Sequence, residues 1–182
     1  MPLNVTIVTT ANRTRRYTQT DTLCIQEVLD ALHRSGQLFS SRTLIIGSDR
    51  ETEIFTPSAI TRVEIAVEQN LDAYLPPGGR FQMRKLAADE TPETQISDTD
   101  FSGRVDFYFA GGDTVALLVS GPRSNDASGR LMNLTRLFEQ AVLHYELPGG
   151  GIGLINPANL TRIQIAAGVE KLPVGSWQLQ AL

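Results

Sequence analysis

Cysteine is almost absent from this 182-residue chain, in which Cys24 stands alone. One cysteine excludes an intramolecular disulfide and any zinc site built from several cysteines, and it is typical of a reducing compartment. The first residues lack the charged and apolar regions of a signal peptide, and no apolar run approaches the ~20 residues that span a bilayer. We therefore expect a cytoplasmic bacterial protein without a membrane segment.

Positive charge is also scarce, with 16 Lys and Arg residues against 20 Asp and Glu, for a formal net charge of −4. This balance argues against a protein whose main role is to neutralise nucleic-acid phosphates. A weak nucleic-acid binder stays open as a third hypothesis, because arginines occur at 13, 15, 16, 62 and 162. The hydrophobic share of 41% and the charged share of 20% are those of an ordinary globular protein.

The usual catalytic residues are few. The two histidines are His33 and His144, and His33 lies nine residues after Cys24 on one predicted helix, about 13 Å further along its axis and on another face. Cys24 and His33 therefore cannot form a nucleophile–base pair, and Cys24 is expected to be a small core residue. Two distant histidines do not supply the three or four ligands of a metal site. We expect no catalytic residue, no metal and no cofactor.

The chain does contain an internal repeat with an offset of 100 residues. Residues 55–66 return as residues 155–166 with five of twelve positions identical. The same offset places Val5 to Val8 opposite Val105 to Tyr108. Repeats of this kind indicate one structural unit that is used twice. We divide the chain into a first repeat (1–70), a polar and acidic linker or long loop (71–102), a second repeat (103–170) and a C-terminal strand or tail (171–182).

Each repeat predicts two strands, a helix and three further strands. In the first, apolar residues alternate or cluster in short runs, and the helix carries an apolar stripe after Asp21, a plausible N-cap, before ending at Gly36. The stripe is Ile25, Val28, Leu29 and Leu32. In the second, the helix is predicted to start near Asn125. Its buried side is expected to be Leu131, Leu134, Phe138 and Ala141.

The second repeat resembles a small bacterial α+β domain of unassigned function. The resemblance rests on Gly129-Arg130-Leu131 at the predicted helix start and on Asn156-Pro157 before the last strand. It implies tandem copies of that domain and no particular activity; the first repeat lacks the Gly-Arg-Leu sequence. We expect an α+β fold made by internal duplication, with two antiparallel sheets, one helix packed on each, and a pseudo-twofold arrangement.

Two groups of residues are candidates for ligand binding. Residues 151–156 approach the Gly-x-Gly-x-x-Gly pattern of dinucleotide sites, but Pro157 and a β-branched strand follow where that pattern requires a helix. A glycine-rich hairpin is favoured there over a ligand loop. Arg62 and Arg162 occupy equivalent places, where they either line an anion-binding groove or, as we prefer, pair with Glu64 and other carboxylates. The candidate residues are Gly149, Gly150, Gly151, Gly153, Arg62 and Arg162.

The leading hypothesis is a non-catalytic cytoplasmic module for binding or assembly, because the repeat is not accompanied by a catalytic constellation. Two similar surfaces predict self-association to a homodimer or binding to a protein partner. The alternative is a sensor or enzyme that binds a small molecule or anion with the 149–153 loop and a groove between the repeats.

Overall fold

A computed structural model describes residues 1–40, 43–48, 50–75, 81–122, 135–165 and 175–177. Most of them form β-structure. In chain order the strands β1 to β12 are Leu3–Thr9, Thr14–Gln19, Leu44–Gly47, Thr52–Phe55, Ile60–Ala66, Gln82–Lys85, Gln95–Ile96, Asp100–Phe109, Thr114–Pro122, Leu143–Glu146, Ile152–Ile155 and Leu160–Ile165.

Ten of these strands form one mixed sheet, in the order β12-β8-β9-β6-β10-β11-β5-β1-β2, with β7 added to β8. The pairing of β6 with β10 is parallel, and the other pairs are antiparallel. The hairpin β3–β4 stands apart as a two-stranded sheet. Strand β11 pairs with β5 and thereby joins strands from the two ends of the chain.

The predicted first helix is present as α1, Thr22–Ala31. Asp21 is its N-cap, because the side chain accepts hydrogen bonds from the backbone N–H groups of Leu23 and Cys24 at 2.9 and 3.0 Å. The helix continues as the 3₁₀ segment Leu32–Gln37. Gly36 lies inside that segment and is absent from the positive-φ residues of the described chain, so the expected left-handed cap at Gly36 is wrong.

The predicted fold class is wrong. Two separate antiparallel sheets, each covered by a helix, were expected, whereas the structure merges strands of both halves into one mixed sheet and holds α1 as the one α-helix of its described residues. The reason is visible in β11, whose sequence Ile-Gly-Leu-Ile is buried at all four positions. A strand that is apolar on both faces belongs in the middle of a sheet, between β10 and β5, and not at the edge of a separate one.

Of the stretch predicted as the second helix, the structure describes only the part from Thr135 onward, and Thr135 itself is helical. Residues 123–134, and with them Gly129-Arg130-Leu131, lie outside the described residues. The part that is described is a single 3₁₀ turn, Arg136–Glu139, in which Leu137 is buried and Phe138 is 42% exposed. Phe138 and Ala141 therefore do not form the expected buried side.

Two apolar cores lie on opposite faces of the sheet. Strand β11 contributes Ile152 and Leu154 to the first core and Ile155 to the second. Because successive side chains of a strand point to opposite faces, the sheet separates the two cores at β11. Helix α1 and the β3–β4 hairpin cover the first core, to which they contribute Leu29 and Leu44. Each face of the central sheet thus has its own apolar packing.

The stretch expected to be a solvated linker contains an element of the second core. Strand β6 lies between β9 and β10, and Met83 and Leu86 are buried. Two buried apolar residues are enough here because β6 is bonded on both sides. The structure corrects the sequence expectation for residues 82–86.

No helix of the described residues has both the length and the apolarity needed to cross a bilayer.

Residues 55–66 and 155–166, which are similar in sequence, follow a similar local path where they are described. Each contains a 3₁₀ turn that starts at a proline, Pro57 and Pro157. Thr61 donates from its hydroxyl to the carbonyl of Val8, and Thr161 donates to the carbonyl of Tyr108. Their surroundings differ, because β5 lies inside the sheet and β12 at its edge.

Gly153 is required by a side chain that crosses it. A Cβ atom at Gly153 would lie 1.9 Å from Cζ of Tyr145, the residue directly across from it on β10. The ring of Tyr145 therefore occupies the space above Gly153, and its hydroxyl reaches Glu64 on β5 at 2.7 Å. The absent side chain at 153 is what allows a hydrogen bond to connect β10 with β5 across β11.

We predict that Gly153→Ala lowers the free energy of unfolding by about 2–3 kcal/mol or more, because the ring of Tyr145 must be displaced. Gly36→Ala is the matched control. A Cβ at Gly36 has only Ala141 within reach, at 3.8 Å, and removing a glycine outside the positive-φ region is neutral or stabilises by about 0.4–1 kcal/mol. Urea unfolding of both variants is the measurement. Equal stability of Gly153→Ala and the wild type would contradict this packing.

Candidate functional site

A cavity of about 300 Å³ lies between the first face of the sheet and the elements that cover it. Its floor comes from three neighbouring strands, β1, β5 and β11. The floor residues are Val5, Val63, Ile65 and Leu154. Leu154 and Val63 are paired across β11 and β5, so the floor is built by the pairing that joins the two ends of the chain.

The walls of the cavity are α1 with its 3₁₀ extension on one side and β3 on the other. Their apolar lining is Val28, Ala31, Leu32, Leu38, Leu44, Ile45 and Ile46. Strand β3 is bonded only to β4 among the described strands, so the hairpin covers the sheet through side chains and not through the hydrogen bonds of the main sheet. A cover that is held by side-chain packing alone can leave space beneath it.

The polar lining residues are Arg34, Ser35, Gln37 and Thr43. Arg34, Gln37 and Thr43 are exposed and mark the mouth of the cavity, whereas Ser35 is 3% exposed. Among the lining residues of the described ranges, the one formal charge at neutral pH is that of Arg34. The site therefore combines an apolar interior with a polar, positively charged mouth.

Ser35 and His144 form a hydrogen bond of 3.0 Å between Oγ and Nε2 beside the cavity. His144 lies on β10 directly across from Leu154 and so faces the first core. Burial lowers the pKa of His144 below its ordinary 6.5, so the ring is neutral at pH 7. A serine next to a neutral histidine is the first contact of a nucleophile–base pair.

A working pair would need a third group that orients the histidine. Within the described part of the chain, His144 has one side-chain hydrogen bond, the one to Ser35. The hydrogen bond between Ser35 and His144 therefore has a structural role, because it holds the 3₁₀ extension of α1 against the sheet at the edge of the cavity.

Arg62, a sequence-predicted candidate, lies on the other face of the sheet, away from the cavity floor. Its guanidinium donates to Asp113 at 2.7 and 3.3 Å and also binds Glu64. The preferred interpretation, a pairing of Arg62 with Glu64 and another carboxylate, is what the structure shows. With both acids 12–15% exposed at the side chain, the charge of Arg62 is already compensated.

Glu64 is the centre of this polar cluster. Its Oε1 accepts hydrogen bonds from Lys85 at 2.6 Å and Tyr145 at 2.7 Å, in addition to that of Arg62. Burial alone would raise the pKa of Glu64, but these partners hold it below its ordinary value. The cluster connects β5, β6 and β10, and through Asp113 it also holds the β8–β9 turn. The positive and negative charges of the cluster balance, so the cluster stabilises the packing of these strands and has no net charge that would attract an ion.

Arg162 does not meet Arg62. It lies on the edge strand β12, where its guanidinium stacks over the ring of Tyr108 at 3.9 Å. Arg15 pairs with Glu53 at 2.8 Å on another part of the surface. The structure therefore spreads these arginines over different elements and does not bring Arg62 and Arg162 to one groove.

The predicted glycine loop is the turn of the β10–β11 hairpin. Gly149, Gly150 and Gly151 have positive φ angles of 83°, 103° and 104°. A Cβ at Gly151 would be 2.1 Å from the carbonyl oxygen of Ile65, so this turn passes directly against β5. None of the loop glycines is among the described residues that line the cavity.

Cys24 is exposed, which corrects the expectation that it belongs to the core. The hydrogen bond with Asp21 raises the pKa of its thiol above the ordinary value and thus disfavours the reactive thiolate. His33 packs against Tyr74 with ring centroids 5.9 Å apart. Across the described residues, no group of three or more His, Cys, Asp or Glu side chains could hold a metal ion.

Sequence reasoning missed the residues that define the cavity. Ser35 and His144 are 109 positions apart, and Arg34 carries no motif. The one available signal was the stripe on α1, because Val28 and Leu32 belong to it and also line the cavity. The space next to that stripe depends on the separate β3–β4 hairpin, which local patterns do not position.

Comparisons with protein-family models, with curated proteins and with solved structures find no match for this chain.

We predict that acid weakens the fold through His144. Because its pKa is lowered on folding, the unfolded chain binds the proton more readily, so this contribution is complete above about pH 6.5 and is lost as the pH falls through the folded value. The loss is at most about 1.4 kcal/mol per pH unit. Urea unfolding at pH 7, 6 and 5 should show a steeper decline for the wild type than for His144→Gln; parallel declines would contradict it.

We predict that Arg62 is far more important for stability than its counterpart Arg162. Arg62→Met leaves Glu64 and Asp113 without their common partner in a half-buried place, which costs about 3 kcal/mol. Arg162→Met removes an exposed stacking contact worth about 0.5–1 kcal/mol. Denaturant midpoints with unchanged m-values provide the comparison. Equal losses in the two variants would show that the polar cluster does not hold the sheet together.

Proposed function

We propose that this protein is a non-catalytic binding module that holds a small, largely apolar molecule in the cavity between α1, β3 and the sheet. The observation that supports this most strongly is the cavity itself, about 300 Å³, in which eleven of the fifteen described lining residues are apolar. Small-molecule sites have this character, an apolar enclosure with a few polar groups that fix orientation, and this volume is at the lower end of their range.

The energetic cost of an empty space supports an occupant. Protein interiors are close-packed, and an unfilled apolar cavity destabilises by about 24 cal/mol per Å³. Because the mouth is open, water relieves part of this cost, and an apolar ligand gains free energy by displacing that water.

A binding role fits the chemistry of the site better than catalysis does. Ser35 and His144 are fastened to each other, and the described residues supply no carboxylate to orient the ring. The alternative of a sensor or enzyme built on residues 149–153 gains no support from the cavity, which lies against Leu154 and Val63 and not against the glycine turn.

Assembly and location complete the proposal. The β3–β4 hairpin exposes Ile54 and its cross-strand partner Ile45, which also borders the cavity; they are 65% and 61% exposed. Such a pair supports self-association or a protein partner next to the cavity.

We place the protein in the bacterial cytoplasm, because its lone cysteine fits a reducing compartment.

Calorimetric titration with 1-octanol tests the proposal, since this probe is apolar and its nine non-hydrogen atoms match the space. We expect one saturable site per chain with a dissociation constant on the order of 0.1 mM and a negative heat-capacity change. Val28→Phe should abolish binding, because the larger ring fills the cavity from α1. Leu23→Phe is the matched control on the same helix, 78% exposed and outside the lining.

Circular dichroism and thermal unfolding establish that both variants are folded before the titration. Saturable binding that Val28→Phe removes and Leu23→Phe retains is the expected result. A folded wild type without saturable binding, or equal binding by the two variants, would overturn the proposal.

A further inference from the structure

We propose that the occupant of the cavity is a small apolar monocarboxylate whose carboxylate is held at the mouth by Arg34. This rests on the proposed function and adds the chemical class of the ligand. Arg34 lies at the mouth of the apolar space and has no ion-pair partner in the part of the chain that the structure describes.

Arg34 is at the mouth of the cavity, where a ligand would meet solvent. It is both exposed and part of the lining. The 3₁₀ segment bends at this residue, with φ −109° and ψ 22° in place of helical angles. Angles near this region are sparsely populated and recur at functional positions. Arg34 is the one cation among the described residues that line the cavity.

Arg34 has no ion-pair partner among the described residues. The carboxylates that pair with arginines there bind Arg15, Arg62, Arg84 and Arg104. The described lining contains no Asp or Glu that could compete for Arg34. A guanidinium at the rim of an apolar space, without an ion-pair partner among the described residues, favours a ligand that brings its own negative charge.

The number of cations selects the class of anion. One guanidinium presents a planar fork that matches a carboxylate in bidentate geometry. Arg34 is the one cation of the described lining, and a phosphate dianion carries more charge than it compensates in a chain of net charge −4. Gln37 and Thr43, also at the mouth, add neutral donors. The arrangement therefore fits a monoanion better than a dianion.

The volume of the cavity limits the size of the apolar part of the ligand. At about 30 Å³ per non-hydrogen group, the share of a water molecule in the liquid, 300 Å³ holds roughly ten such groups. A carboxylate with a chain of about eight carbons has this size. The chain would lie against Val63 and Leu154 on the floor, with the carboxylate at Arg34.

Octanoate and 1-octanol are the matched probes, since they have the same chain length and differ in charge. A carboxylate is much more strongly hydrated than a hydroxyl and enters an apolar site poorly without a cation. In the wild type at low salt, octanoate should bind about three- to tenfold more tightly than 1-octanol. The preference should shrink between 20 and 500 mM NaCl, because salt screens an exposed pair.

Two variants separate the inference from the proposed function. Arg34→Gln should weaken octanoate about fivefold or more, remove its salt dependence and leave 1-octanol unchanged. Arg13→Gln is the matched control, an exposed arginine in the β1–β2 turn outside the lining. If Arg34→Gln weakens neither probe, or if 1-octanol binds more tightly than octanoate in the wild type, the carboxylate inference is overturned while the binding function stands. If neither probe binds, the proposed function itself fails.

Discussion

The pairing of β11 with β5 is the constraint on which the rest of the structure depends. These strands belong to the two ends of the chain, and their hydrogen bonds turn what the sequence presents as two units into one sheet. Strand β11 is buried at all four positions, and every residue of β5 is buried or half-buried. Neither strand can therefore be exposed without loss of a core. Both the cavity and the polar cluster are consequences of this one pairing.

The two faces of the paired strands have different roles. On one face, Val63 and Leu154 are apolar and form the cavity floor. On the other, Gly153 leaves the space through which Tyr145 reaches Glu64, and Arg62 extends the cluster to Asp113. The ion pairs on this face stabilise the sheet. The apolar face is then able to carry a cavity, because its floor is held in place from behind.

The cover of the cavity is attached less firmly than its floor. Helix α1 is capped by Asp21 and fastened at Ser35 to His144, whereas the β3–β4 hairpin contacts the body through side chains such as Glu53, which binds Arg15 and Tyr17. Under the proposed function, a ligand would enter between this cover and the rigid floor without disturbance of the main sheet. Elements with low local stability are the ones that ligand sites commonly use.

Local features of the fold could be predicted from sequence, and long-range ones could not. The N-cap at Asp21 and the stripe of α1 follow from spacing, and the β10–β11 hairpin follows from its glycines. The single mixed sheet could not be predicted, because the partner of β11 is determined by packing between segments about ninety residues apart. Strand β6 could not be predicted either, because Met83 is its one buried residue.

The candidate site was predicted only in part for the same reason. Arg62 was identified through the repeat, and its pairing with Glu64 was anticipated, yet Asp113 and Tyr145 come from distant elements. Arg34 and the cavity have no signature in the chain, since the space arises where α1, β3 and the sheet fail to meet. A repeat in sequence indicates shared local geometry, and it does not determine which strands become neighbours.

Methyl-resolved NMR during a titration with 1-octanol tests the central claim most directly, because it reports where the probe binds. The account predicts saturable shifts, with a common affinity, at the methyl groups of Val5, Val63 and Leu154, which form the cavity floor. Shifts confined to the exposed Leu23 and Ile54, with the floor unchanged, would contradict it and assign the apolar contacts to the surface.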